Sequence, residues 1–273
     1  MITGKLQLDK QEYSMSKCLK KVVIPLLFWG VVFALMEIVF DERNIQIEYI
    51  FTAFYKVLTG QSWAHLWYLY MLVGIYLALP LVRCVVKNTE YDKVGILILV
   101  LFVFNSLIMD LFKFATPDHS FAVQLPITSQ YIMYILLGWY LDKLEISKKK
   151  LVMIDFVGVL MMVGTSLLGY RVDSIQYNDV PTVILSVCVF LTFRYFMNQP
   201  TDKITNFLVK KSYGIYILHM VFVNSLYKLV HFNPWKFNIV PVSWLIASLL
   251  IFPASTMLTV IIQRLPGGKK VVP

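Results

Sequence analysis

The sequence predicts an all-α protein, a polytopic bundle of transmembrane helices, and three observations support this fold class. Of the 273 residues, 58% are hydrophobic and 15% are charged, whereas soluble domains are about 45–50% apolar and about 25% charged. The apolar residues form runs close to the ~20 residues that cross a hydrocarbon core. The basic residues cluster between these runs, so the net charge of +9 indicates membrane topology, and no nucleic-acid partner is expected.

Eight apolar runs are predicted to cross the membrane. The first follows a polar segment ending in Lys20 and Lys21 and has no small-residue cleavage site after it, so it is not a signal peptide. The second and eighth carry Trp63 and Trp244 at ends assigned to the outer interface. The third and fifth are the clearest, whereas Pro126 shortens the fourth and Arg194 lies near the end of the sixth. In order, the spans are residues 22–40, 63–82, 94–112, 127–142, 151–170, 180–197, 212–231 and 240–262.

The distribution of basic residues supports these spans and orients them. Nineteen of the 25 Lys and Arg residues lie in the two terminal segments and in every second connection, and six lie in the other connections. The positive-inside rule therefore places both termini in the cytoplasm, with an even number of crossings. The longest outer connection, 41–62, could hold a short interfacial helix. We predict a single membrane-embedded domain over residues 1–273.

Sequence motifs do not assign a reaction by themselves. There is no P-loop, nucleophile elbow, HExxH or GxGxxG pattern. The cysteines Cys18, Cys84 and Cys188 form no CxxC pair, so neither a redox centre nor a metal site is expected.

Histidines at membrane depth are the leading candidates for chemistry, because polar groups there are costly. His65, at the outer end of the second span, could act as an acid or base or bind a hydroxyl; alternatively, it is an interfacial residue bonded to a neighbouring helix. His219, inside the seventh span, could belong to the same site or make a core hydrogen bond to an asparagine such as Asn105. His119 and His231 fall in or beside outer loops and are expected at the surface.

Carboxylates and an amide provide further candidates. Glu37 and Asp110 lie near the outer ends of their spans, at the level of His65. They could orient an imidazole or bind substrate, but snorkelling to the interface is favoured from position alone. Gln130 could bind an acceptor hydroxyl. Asp155 is interpreted as an inner-interface residue rather than a proton relay.

Four runs together resemble the bacterial integral-membrane acyltransferase family 3, whose members O-acylate cell-surface sugars. The runs are KKVVIPLLFW at 20–29, HLWYL at 65–69, YIMYILLGWY at 131–140 and SYGIYILH at 212–219. Their order and spacing fit the family over essentially the whole chain.

The resemblance implies transfer of an acyl group from a cytoplasmic thioester donor, acetyl-CoA or another acyl-CoA, to a glycan hydroxyl at the outer face of a bacterial plasma membrane. No metal is implied. A general base would activate the hydroxyl, and a polar pocket would hold the oxyanion. Carried over to matching positions, His65 with Trp67 and His219 with Tyr213 form the implied site. Beyond the bilayer and the glycan acceptor, proteins of glycan assembly are possible partners.

The resemblance departs from the family at the N-terminus. Family members begin with two spans that have no counterpart here, and the first holds an arginine and the histidine held to be catalytic. Residues 1–4 resemble the end of the second of these spans. We therefore expect an N-terminally incomplete domain: either Met1 is an internal methionine, or the chain is a truncated and inactive version.

Two functions of other classes remain open from the sequence. Eight spans with histidine and asparagine near the midplane could line the path of a transporter or exporter of a glycan or small solute. The chain could also be a non-catalytic partner in glycan assembly.

Overall fold

The computed structural model describes residues 1–44, 46–115, 130–167, 176–196, 202–232 and 240–273, with the backbone alone at 112–115, 130, 240 and 241. All regular secondary structure in these ranges is helical, which confirms the predicted fold class. A 3-10 turn at Ala64–Leu66 leads into the fourth helix, and a π-helical turn at Val103–Leu107 joins the fifth to the sixth. The α-helices are α1 (Ile2–Gln7), α2 (Met15–Glu42), α3 (Glu48–Leu58), α4 (Trp67–Asn88), α5 (Tyr91–Phe102), α6 (Ile108–Ala115), α7 (Gln130–Lys143), α8 (Lys148–Leu167), α9 (Val180–Phe196), α10 (Lys203–Lys228), α11 (Val240–Arg264) and α12 (Gly268–Val271).

A helix overlaps each of the eight predicted spans, but the helices differ in length and polarity. Within the described ranges, five helical stretches are long and apolar enough to cross a membrane: Met15–Glu42, Ala64–Asn88, Tyr91–Leu111, Lys148–Leu167 and Val242–Arg264. α9 is apolar but has 17 residues. α7 has 14 residues and is roughly 21 Å long at 1.5 Å per residue, less than the ~30 Å hydrocarbon core. The count of eight spans and the orientation of the termini stay predictions.

The helix of the seventh predicted span begins earlier than the sequence analysis placed it. α10 starts at Lys203 rather than at residue 212 because Asp202 caps it, and the Asp202 side chain accepts a hydrogen bond from Thr205 N at 3.0 Å. An N-cap carboxylate satisfies one of the N–H groups left over at a helix start. The first turns of α10 therefore carry Lys210 and Lys211.

The chain forms two compact units, and the first comprises Met1–Tyr13 and Ala78–Pro200. In it α1 packs on α7 at a glycine contact, because a Cβ atom at Gly4 would meet the backbone of Ile135, and one at Gly138 would meet the backbone of Met1. The buried Arg83 side chain donates hydrogen bonds to the backbone carbonyls of Gln7 and Lys10. These contacts fix the N-terminal segment within this unit.

The second unit comprises Ser14–Leu77 and Thr201–Pro273. α3 lies in the predicted 41–62 connection and packs on α2, where Gly30 leaves room for the Val57 side chain. α10 packs on α11, and α12 packs on α2. Both candidate histidines lie in this unit.

Candidate active site

His65 is held at the start of α4 by a buried aromatic and aliphatic environment. It lies in the 3-10 turn Ala64–Leu66, which the fully buried Leu66 anchors in the core. The ring of Trp63 stacks on that of Phe33, with centroids 4.4 Å apart, and Phe33 also contacts His65 at 5.5 Å. This environment leaves the His65 side chain half-buried.

The hydrogen bonding of His65 assigns its tautomer. Its Nε2 lies 3.2 Å from the carbonyl oxygen of Ile217. A carbonyl oxygen can only accept, so Nε2 carries the hydrogen, and Nδ1 carries the lone pair. Nδ1 is buried and has no hydrogen-bond partner in the described ranges. A buried basic nitrogen without a partner is suited to accept a proton from a bound hydroxyl.

His219 lies beside His65 on α10. The two imidazole rings meet edge to face, with centroids 5.6 Å apart. Nδ1 of His219 lies 2.6 Å from the carbonyl oxygen of Tyr216, one turn earlier. By the same reasoning Nδ1 carries the hydrogen and Nε2 is the basic nitrogen. The hydrogen bond that the structure shows for this ring is therefore one within α10.

Tyr216 links the two histidines and was not identified as a site residue from the sequence. Its hydroxyl donates a hydrogen bond to the backbone carbonyl of His65. Its own backbone carbonyl accepts a hydrogen bond from Nδ1 of His219. Its ring lies 5.3 Å from that of Tyr68. The available signal was its position three residues before His219, because residues i and i+3 share a helix face.

Two candidates from the family resemblance lie near this cluster. Trp67 follows the 3-10 turn, contacts the Tyr68 ring at 6.1 Å and is 42% exposed. Tyr213 is half-buried on α10, and its hydroxyl donates to the carbonyl of Lys21 at 3.3 Å. Both residues lie close to the histidines in sequence, and Tyr68, the neighbour of Trp67, contacts the Tyr216 ring.

The two outer-face carboxylates and Asp155 have the following contacts. Glu37 is half-buried on α2 and makes no hydrogen bond or ion pair with either site histidine in the ranges described above. Asp110 belongs to the first unit, where its Oδ2 accepts a hydrogen bond from Val180 N at 2.7 Å. This contact places a negative charge at the N-terminus of α9, where the helix dipole stabilises it. Asp155 accepts a hydrogen bond from the hydroxyl of Thr192 at 2.9 Å.

The remaining candidates lie elsewhere. Gln130 begins α7, but its side chain lies outside the described residues, as does the whole of His119. His231 is exposed and has a positive φ of 55°, in line with the expected surface position. No group of three or more His, Cys, Asp or Glu side chains could hold a metal ion within the described ranges.

Comparison with known proteins assigns the family. The family model described as an acyltransferase domain matches residues 5–264. The chain belongs to acyltransferase family 3. No curated protein and no solved structure matches the chain.

Family membership and the five apolar helices make this chain a membrane-embedded acyltransferase 3 protein. The matched range contains residues of both units and the whole cluster of His65, Tyr216 and His219. Acyltransferase activity in general follows from the family. The site roles of individual residues stay predictions.

Proposed function

We propose that this protein transfers an acyl group from a cytoplasmic acyl-CoA thioester to a hydroxyl of a cell-surface or exported glycan. The family supports acyl transfer, and the paired histidines support a hydroxyl as acceptor. The observation that carries the proposal is the buried Nδ1 of His65, a basic nitrogen with no partner in the described ranges.

In the proposed step, a lone pair on this nitrogen accepts the proton of the acceptor hydroxyl while the oxygen attacks the thioester carbonyl carbon. The new C–O bond forms, and the C–S bond breaks. The sulfur leaves as a thiolate that recovers the proton from the imidazolium, which gives an ester and a free thiol. The ring of His219, whose centroid lies 5.6 Å from that of His65, carries a second basic nitrogen.

The other proposed substrate contacts are Trp67, Tyr213 and Gln130 near the acceptor, with Glu37 and Asp110 toward the outer face. The proposed setting is the plasma membrane of a bacterium, with both termini cytoplasmic. The excess of basic residues in alternate segments supports this orientation, which exposes one end of the bundle to cytoplasmic acyl-CoA and the other to an external glycan. Glycan-assembly proteins are proposed partners.

The proposal is tested by measuring glycan acylation in bacterial cells whose only source of this protein is the introduced gene. A strain without the gene is complemented with the wild type, His65→Gln or His65→Ala, and ester-linked acyl groups on its surface glycans are measured by mass spectrometry. Glutamine keeps an N–H group that can donate to the Ile217 carbonyl but has no basic nitrogen. We expect His65→Gln to lower the acylation rate by about 10²- to 10⁴-fold, the usual contribution of a general base.

The matched control is His231→Asn, which removes an exposed histidine at a positive φ that asparagine tolerates. It should acylate like the wild type, and all variants should reach equal levels in the membrane. Wild-type acylation by His65→Gln together with loss by His65→Ala would assign His65 a structural role. Failure of the wild type to restore any acyl group would overturn the proposed function.

A further inference from the structure

A cavity of about 520 Å³ lies between α10 and α11, within the second unit. On α10 its wall is a stripe of residues spaced four, four and three apart, which places them on one face of the helix. The stripe extends over residues 215–226, about 16 Å at 1.5 Å rise per residue. Its members are Ile215, His219, Val223 and Leu226.

The cavity wall is mostly apolar, and its polar members are Tyr216, His219, Tyr227 and Ser248. Eight of the twelve lining residues are apolar. The Ser248 hydroxyl on the α11 side is already used, because it donates to the Trp244 carbonyl at 2.8 Å. A glycan would leave many hydroxyls without partners on such a wall, at a cost for each of them. A hydrocarbon chain meets no such cost.

Tyr216 and His219 belong both to this wall and to the histidine cluster. The cavity therefore opens directly beside the groups proposed to handle the acceptor proton. An acyl chain needs this arrangement, because its carbonyl carbon must lie at the reacting groups while its tail extends away from them.

The size of the cavity argues against acetyl as its occupant. An acetyl group is smaller than four water molecules, which take about 120 Å³ at roughly 30 Å³ each. It would leave most of the 520 Å³ empty, whereas the volume lies in the usual range of about 300–1,000 Å³ for small-molecule pockets.

We infer that this cavity holds the hydrocarbon chain of the acyl donor, with the carbonyl carbon at the His219 end, and that the transferred group is a medium-chain acyl group. This inference rests on the proposed acyltransferase function and specifies the chain length of the acyl donor. Each methylene moved from water to an apolar wall favours binding by up to about fourfold, so chain length should strongly affect the rate.

The test compares acyl-CoA donors from acetyl to dodecanoyl in membranes that contain the full chain, with transfer to endogenous glycan as the readout. We expect kcat/KM for octanoyl or decanoyl transfer to exceed that for acetyl transfer by at least tenfold. Ala247→Phe places a ring in the cavity and should lower the octanoyl-to-acetyl ratio by at least tenfold. Leu249→Phe is the matched control, because Leu249 is 65% exposed on the same helix and does not line the cavity; it should leave the ratio unchanged.

Binding is measured separately by fluorescence quenching of Trp244, which lines the cavity. A bromine-labelled undecanoyl-CoA should quench the wild type more than Trp244→Phe. Equal quenching of Trp244 by a brominated phospholipid, with no further effect of the labelled acyl-CoA, would identify bilayer lipid as the occupant and overturn the inference. Transfer of acetyl alone would overturn this inference and leave the proposed function intact, whereas no transfer at any chain length would overturn both.

Discussion

The hydroxyl of Tyr216 offers a sharp test of how the site is assembled. Tyr216→Phe removes the hydrogen bond to the His65 carbonyl and keeps the ring that contacts His65, Tyr68 and His219. A hydrogen bond contributes about 0.5–1.5 kcal/mol net. If this whole free energy serves to hold His65 in its reactive position, the loss of the hydrogen bond should lower kcat by about 2- to 13-fold. KM for the donor should not change, because the cavity wall keeps its shape.

The assay is transfer of labelled acyl groups to glycan in membrane vesicles, with Tyr55→Phe as control. Tyr55 lies on α3 in the same unit and is 62% exposed, so the same chemical change there should have no effect. Tyr216 acts through His65, so the double variant Tyr216→Phe, His65→Gln should have nearly the same activity as His65→Gln alone. Independent, multiplying effects of the two substitutions, or an unchanged kcat, would refute the reasoning.

Two further predictions concern the first unit. Gly138→Ala should lower the melting temperature by about 2–12 °C relative to Gly74→Ala, because overpacking costs about 1–3 kcal/mol. Both substitutions raise helix propensity, but of the two glycines only Gly138 faces the backbone of another segment. Equal melting temperatures of the two variants in detergent would contradict the α1–α7 contact. Burial raises the pKa of Asp9, but hydrogen bonds from Trp139 at 2.7 Å and from Lys143 outweigh burial and lower it below 3.8. The carboxylate therefore stabilises the fold above pH 3.8, and this stabilisation is lost as the pH falls. Asp9→Asn should lower the free energy of unfolding by about 0.5–1 kcal/mol at pH 7, and the difference from the wild type should narrow below pH 4. A difference in the free energy of unfolding that does not change with pH would contradict this assignment.

Much of the helical architecture could be predicted because apolar runs of span length leave few alternatives. The boundaries were less certain, since α10 begins where Asp202 caps it rather than where its apolar run begins. The packing of residues 1–13 was not predicted. Their place in the first unit depends on Arg83 and on the Gly138 contact, which are distant in sequence.

The candidate site could be predicted only in part. His65 and His219 stood out as costly polar groups in apolar runs. Their relation depends on contacts with backbone carbonyls, such as that of Ile217, which lies 152 positions from His65. Every residue has a backbone carbonyl, so the sequence does not indicate which one will accept a given hydrogen bond. Tyr216 was missed because buried tyrosines in apolar helices are common and its role depends on the His65 carbonyl.

The buried Arg83 has a consequence for how this membrane protein is made. Arg83 and Arg194 both count among the basic residues from which the orientation was predicted. Both donate to backbone carbonyls of the first unit, Arg194 to Leu141 and Leu144. Insertion responds to charge, whereas Arg83 contacts its two carbonyls with the two prongs of the guanidinium fork. A lysine at position 83 would keep the positive charge that favours a cytoplasmic location but would lose the two-pronged contact with residues 7 and 10. We therefore expect Arg83→Lys to insert into the bilayer like the wild type but to pack its N-terminal segment less firmly in the first unit.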